Sequence, residues 1–304
     1  MEKEIFVIQK SDFPQTLQNI HRPPGHLYIR GTLPKETSEH RYLCVVGSRS
    51  YTEYGKAAVN NIIRGLAGYP ITIVSGLAFG IDSIAHQAAL DAGLTCMTFP
   101  GSTLEWNSIY PPPHIDLARK IVENDGCLIS QWQSNYPTGT WAFPARNRLM
   151  AGISHATLIV EARKGSGSLM TAKYAEEFDR EVMAIPGPID SPSSYGPHML
   201  IKNGAACITS AEDILDAFGF VYEKQLNLTS DSKNSNKQTN FQYSHLDQIS
   251  QKIIQIIQRG NHSEDLIREC IEIGTTELNQ KLSELEIYGV IEVDRTGIKL
   301  LGVK

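Results

Sequence analysis

Two short stretches of this chain have the residue types of an anion cradle. VVGSRS, residues 45–50, follows an apolar run, and Gly47 lets a strand end turn so that the amides of Gly47, Ser48 and Arg49 face the space above a following helix. Arg49 adds a planar fork that matches phosphate oxygens. EARKGSGSLMTA, residues 161–172, repeats the idea: Ser166, Gly167 and Ser168 open a second predicted helix, with Arg163, Lys164 and Lys173 close in sequence. Taken alone, each loop also reads as an ordinary tight turn between a strand and a helix.

Two further stretches carry cations. WAFPARNRLMAG, residues 141–152, sets Arg146 and Arg148 around Asn147, just after the aromatic Trp141 and Phe143. A single nucleic-acid strand asks for this combination, because charge holds the backbone and a ring accepts an unstacked base. GPHMLIKNGA, residues 196–205, places Lys202 beside Asn203 and Gly204, which is a phosphate contact or the usual cation of a helix C-terminus. Surface packing is the plain alternative for the arginines.

Other chemistry finds little support. Asp82 and His86 in SGLAFGIDSIAH are four residues apart and share a helix face, but no third ligand or nucleophile accompanies them at a metal-site spacing. An aspartate at a helix start that satisfies orphan amides, with a histidine as neighbour, is the simpler reading. The first loop is not GxGxxG, and the second strand ends in Ser75, where a dinucleotide enzyme needs a carboxylate for the ribose. GxxxxGK[ST], GxSxG and HExxH are all absent, so no catalytic residue, metal or cofactor is expected.

The elements that must position these loops follow from periodicity. Apolar strand-like runs at Leu43–Val46, Ile71–Ser75, Thr95–Pro100, Cys127–Ser130, Ala156–Ala162 and Glu181–Pro186 alternate with helical stretches near 55–66, 81–92, 118–124, 146–152 and 169–178. That alternation implies βαβ units, hence an α/β fold with six or more parallel strands between residues 41 and 219, covered on both faces. Loops that leave the carboxyl ends of such strands are where open α/β sheets bind ligands. The first 40 residues, with HRPPGHLYIRG, read as a non-repetitive lead-in packed on this domain.

A polar stretch, KQLNLTSDSKNSNKQTNFQ, predicts a flexible linker over 220–243. Beyond it, residues 244–304 predict three helices and a small hairpin around Arg295, Thr296 and Gly297, the pattern of a winged-helix module. With 28 Lys plus Arg against 33 Asp plus Glu, the formal charge is −5, so a polyanion site must be a local patch. The five cysteines never pair as CxxC and the apolar runs are too short to cross a bilayer, which predicts a cytoplasmic protein without a membrane partner.

In combination, VVGSRSYTEYG, SGLAFGIDSIAHQAAL, FPARNRLMAGIS, VEARKGSGSLMTA, AIPGPID and LIKNGA, in this order over about residues 25–215, closely resemble the bacterial DNA-processing protein A family, also called Smf. The resemblance implies an extended Rossmann-like parallel-sheet core that binds single-stranded DNA, forms a homodimer and helps load the RecA recombinase during natural transformation. It further implies a DNA site made by Gly47, Ser48, Arg49, Ser75, Gly76, Phe143, Arg146, Asn147, Arg148, Ser166, Gly167, Ser168, Thr171, Lys173 and Lys202. The chain departs from the family pattern in three places: Phe79 stands where an arginine is usual, Gly196 is followed by Pro197 and His198, and SQWQSNYPTG replaces an acidic-proline motif.

The alternative from another class is a nucleotide phosphoribohydrolase on a related fold, which resembles this chain less well. Its PGGxGTxxE motif needs a glutamate three residues after Thr171, where this chain has Tyr174. The C-terminal module is acidic, and its candidate recognition helix TTELNQKLSELEIYG holds one Lys and three Glu. That favours a protein-contact or dimer-support role for it over reading a DNA groove.

Overall fold

The computed structural model describes residues 4–220, 248–258, 267, 274–287, 291–294 and 297–300, and the chain divides into two compact units near residue 222. In the first unit, β1 (Ile5–Gln9), α1 (Gln15–Gln18) and β2 (His26–Gly31) precede the alternating region. There follow β3 (Arg41–Val46), α2 (Glu53–Gly65), β4 (Ile71–Ser75), α3 (Ile81–Asp91), β5 (Thr95–Thr98), α4 (Ile115–Glu123) and β6 (Cys127–Ser130). The unit is completed by α5 (Ala142–Ile153), β7 (Ala156–Ile159), α6 (Gly167–Glu177), β8 (Glu181–Ala184), α7 (Tyr195–Lys202), β9 (Ala206–Cys207) and α8 (Ala211–Phe218).

One nine-stranded sheet runs through the unit in the order β1-β2-β6-β5-β4-β3-β7-β8-β9. Strands β3 to β9 are parallel, as the alternation predicts. Side chains along each strand point alternately to the two faces. Leu43, Val45, Ile71, Ile73 and Leu128 therefore enter one buried cluster, and Tyr42, Cys44, Val46, Val74 and Ile129 enter the other. Helices α2, α3, α4 and α8 cover the first face, and α1, α5, α6 and α7 cover the second. This near-continuous burial is why the strands read as apolar runs and not as alternating ones.

The first 40 residues differ from the sequence reading. They are not merely a lead-in: β1 and β2 pair antiparallel, and β2 joins β6 antiparallel, with Ile29 opposite Ile129. Phe13, Leu17, Ile20, Leu27 and Ile29 sink into the second core cluster. Arg148 helps hold this segment, donating from Nη2 to the carbonyls of His21 and Arg22, as does Arg180, whose Nη2 donates to the Thr16 carbonyl at 2.6 Å.

The sheet also fixes where a ligand can sit. From β3 the chain builds outward through β4, β5 and β6, then crosses back by α5 to place β7 on the other side of β3. The loops after β3 and β7 therefore leave in opposite directions, and a crevice opens between them at this topological switch point.

In the second unit, α9 (Gln248–Gln258) and α10 (Thr275–Ile287) pack with a hairpin of β10 (Ile291–Asp294) and β11 (Gly297–Leu300) around Ile253, Ile257, Leu278, Leu282, Leu285, Ile291 and Ile298. The middle helix expected near residues 263–274 lies outside the described residues except for Ile267 and Gly274, and so does the linker beyond Phe220.

Two histidines tie the first unit's stability to pH. His86 of α3 is fully buried, which pushes its pKa from the ordinary 6.5 down to about 3. His155 accepts the Tyr42 amide through Nδ1 at 3.0 Å, and burial, aided by Arg41 and Arg180, lowers its pKa to about 4. The folded state keeps both neutral while the unfolded chain takes up protons below 6.5, so their contribution is complete above that pH and is lost as pH falls toward 4. The urea midpoint is expected to drop between pH 7 and pH 4.5, and His155→Gln to flatten that slope; a midpoint constant across the range would contradict the assignment.

Candidate nucleic-acid interface

The loop after β3 is held open by close approach of its neighbour. A Cβ on Gly47 would lie 2.7 Å from the Ile81 side chain, so only glycine lets α3 come this near. Gly80, with φ +82°, sits against the Ser48 and Arg49 carbonyls, and the Ile81 amide donates to the Ser48 carbonyl at 3.2 Å. The backbone carbonyl side of the loop is thus occupied. Its amide side is not: among the described residues the Gly47, Ser48 and Arg49 amides have no hydrogen-bond acceptor. Unpaired amides of this kind favour an anion.

Across the crevice, the loop after β7 is tied to α2 by buried Glu161. Its carboxylate accepts the Thr52 amide at 3.0 Å and the Thr52 hydroxyl at 2.6 Å, while Thr52 caps α2 by accepting the Gly55 amide at 3.1 Å. Ser166 caps α6 by accepting the Ser168 amide at 3.4 Å. The Gly167 amide has no acceptor among the described residues, and the buried Thr171 hydroxyl also lacks a partner. Arg163 and Lys164 are exposed beside this loop and form no ion pair among the described residues.

The wall between the loops comes from α5. Arg146 is only 5% exposed, and its guanidinium donates to the carbonyls of Gly76 and Phe99 through Nη1 and to Asn147 Oδ1 at 2.7 Å through Nε. It thereby stitches the ends of β4 and β5 to α5. Asp82 is its counter-charge, and also accepts the Gly76 amide at 3.2 Å. Burial raises the Asp82 pKa, opposed by Arg146 and by the Gly76 and Ala78 amides; burial lowers that of Arg146, opposed by Asp82. The Phe143 ring has the guanidinium carbons of Arg49 and Arg146 at 5.5 and 5.7 Å from its centroid, within cation–π range.

These parts enclose a cleft of about 530 Å³ lined by Gly47, Ser48, Arg49, Phe143, Arg146, Asn147, Ser166, Gly167, Ser168 and Thr171. Arg163 and Lys164, which the sequence sets beside the glycine-serine turn but the family resemblance leaves out of the DNA site, line it too. Four cations therefore meet one carboxylate, Asp82, which is how a chain of net negative charge makes a positive crevice.

Other expected site residues lie elsewhere. Ser75 is buried behind the cleft, its hydroxyl donating to the Val45 carbonyl at 2.7 Å, and Gly76 lines a depression next to it. Arg148 turns away to the N-terminal segment and lies over the Phe178 ring at 5.3 Å. Lys173 is exposed and pairs with Glu177 at 3.8 Å. Lys202 lines a separate hollow of about 500 Å³ with Asp190, Tyr195 and His198. His86, the imagined partner of Asp82, is sealed in the core and lines none of these spaces. Among the described residues no group of three or more His, Cys, Asp or Glu could hold a metal ion.

Removing Arg146 leaves a buried carboxylate without its counter-charge and two carbonyls without a donor. Arg146→Ala should destabilise the first unit by about 3 kcal/mol or more, whereas Arg49→Ala, at an exposed side chain, should stay within about 0.5 kcal/mol. Urea titrations of the two variants check this, and equal stabilities would contradict it.

Residues 4–219 match the family model described as DNA recombination-mediator protein A. Protein Smf of Escherichia coli K12 is 43% identical over 197 residues, which cover 65% of this chain and 52% of that protein. The DNA processing protein DprA of Bacillus subtilis is 37% identical over 210 residues, 69% of each chain. The chain thus spans about half the length of the first relative and more of the second. The X-ray structure of DNA processing protein A from Streptococcus pneumoniae superposes with a TM-score of 0.65 at 34% identity, covering 72% of this chain and 76% of that one. The solved structure of DNA processing protein A from Helicobacter pylori, described for its single-stranded DNA binding mode, gives 0.61 at 25% identity, covering 71% of this chain and 97% of that one. A matching family model over most of the first unit, relatives above one third identity and a shared fold agree: the chain belongs to the DNA recombination-mediator protein A family.

Proposed function

We propose that this chain binds single-stranded DNA in the cleft between the β3 and β7 loops, without cutting or modifying it. The observation that carries the reading is the convergence of amides from two loops, Gly47–Arg49 and Gly167, which have no acceptor among the described residues, on a crevice bordered by Arg49, Arg146, Arg163 and Lys164. Amides and guanidinium forks grip phosphates and carry no base code, so sequence preference is low. The described binding mode of the Helicobacter pylori relative supports the same ligand.

The non-enzymatic reading is supported by how the local carboxylates are used. Asp82 faces Arg146 and the Gly76 amide, and Glu161 is occupied by Thr52. At the position where the phosphoribohydrolase alternative needs its glutamate, Tyr174 stacks on Phe178 with ring centroids 6.5 Å apart. Family membership supports the wider role: a cytoplasmic homodimer that protects incoming DNA and passes it to the RecA recombinase during natural transformation. In this reading the segment 244–304 serves as a winged-helix module for protein contacts, in keeping with its acidic composition.

Fluorescence anisotropy with single- and double-stranded oligonucleotides tests the proposal. Single strands should bind more tightly, log affinity should fall linearly with log salt at a slope of about −0.7 per phosphate held, and Arg49→Ala should weaken binding and flatten that slope. Affinity insensitive to salt, or release of free adenine from AMP, would overturn it.

A further inference from the structure

Beside the cleft lies a surface that phosphate recognition leaves unused. Phe79, in the loop between β4 and α3, is 44% exposed, and Tyr110, ahead of α4, is 48% exposed. Neither ring belongs to a core cluster. With Phe143 they border a depression of only about 10 Å³ whose walls also include Arg49 and Pro111. Arg49, Ala78, Phe143 and Arg146 line both this depression and the cleft, so the two are continuous.

The rings are held in place. The Tyr110 and Phe143 centroids are 5.8 Å apart, and Phe79 meets His114 edge to face at 4.9 Å. His114 in turn donates from Nδ1 to the Leu77 carbonyl at 2.7 Å. Leu77 is fully buried with φ +60°, a left-handed conformation that surrounding structure must enforce on a non-glycine residue. The loop that presents Phe79 is therefore anchored at Leu77, by its buried side chain and by His114.

A space of this volume holds about one water, so no ring or base enters it. A flat apolar group can only lie across it. The occupant that fits is planar, aromatic and attached to an anion, since Arg49 stands on the shared wall. We propose that Phe79 and Tyr110, with Phe143, form a stacking platform for unstacked bases of the strand whose phosphates lie in the cleft. This rests on the single-strand reading above and adds to it a place for the bases, which the cleft's amides and cations do not provide.

The test uses the full chain with wild type, Phe79→Ala, Phe79→Trp and Arg49→Ala, each against an oligothymidylate and against the same sugar-phosphate chain lacking bases. Phe79→Ala should bind oligothymidylate roughly tenfold more weakly at an unchanged salt slope, Phe79→Trp should restore affinity, and on the baseless chain wild type and Phe79→Ala should bind alike. Unchanged thermal midpoints would show that the exposed ring does not act through folding. Equal binding of wild type and Phe79→Ala to oligothymidylate, with Arg49→Ala still defective, would overturn the platform and leave the single-strand reading standing. An equal loss on the baseless chain would also overturn it, because the ring would then act on cleft shape. Failure of wild type to bind either oligomer would bring down both.

Discussion

The carboxyl edge of this sheet depends on one buried guanidinium. Arg146 reaches from α5 to the carbonyls that end β4 and β5, and its charge faces Asp82 at the start of α3. The segments that follow β4 and β5 are thereby tied to α5, and of these the one after β4 and α5 itself line the crevice. Burying a cation carries a large desolvation penalty, offset here by carbonyl acceptors and a carboxylate. With Nε and Nη1 engaged in this way, Arg146 works first as a wall of the crevice. The exposed positive charge at the crevice comes from Arg49, Arg163 and Lys164.

Much of this was legible in the amino-acid sequence, and the rest was hidden for physical reasons. The parallel core was readable because strands covered on both faces are apolar at every position, as Leu43 to Val46 are. The two small-residue loops were readable because Gly47 and Ser166–Ser168 leave the chain few other uses at a strand end. The cations were harder to place. Residues two apart on a helix point to nearly opposite sides, so Arg148 cannot accompany Arg146, nor Lys173 accompany Thr171. Lys202 ends an eight-residue helix, about 12 Å along from its start. Strands β1 and β2 escaped notice because Pro23, Pro24 and Gly25 interrupt the region, and because β1 is an edge strand whose Phe6 and Val7 remain exposed.

Charge is arranged locally. The region 41–219 carries 13 basic and 16 acidic residues, yet one carboxylate, buried opposite Arg146, meets four cations at the crevice. A net count therefore says little about polyanion binding when backbone dipoles and a few cations are gathered at one strand switch.

The groups that face the crevice from Gly47 to Arg49 and from Gly167 belong largely to the main chain. Side-chain replacement leaves such donors untouched, so a mutational survey by alanine will see the arginines and pass over the peptide groups. Only proline, which has no N–H, or an ester in place of the amide removes one of them.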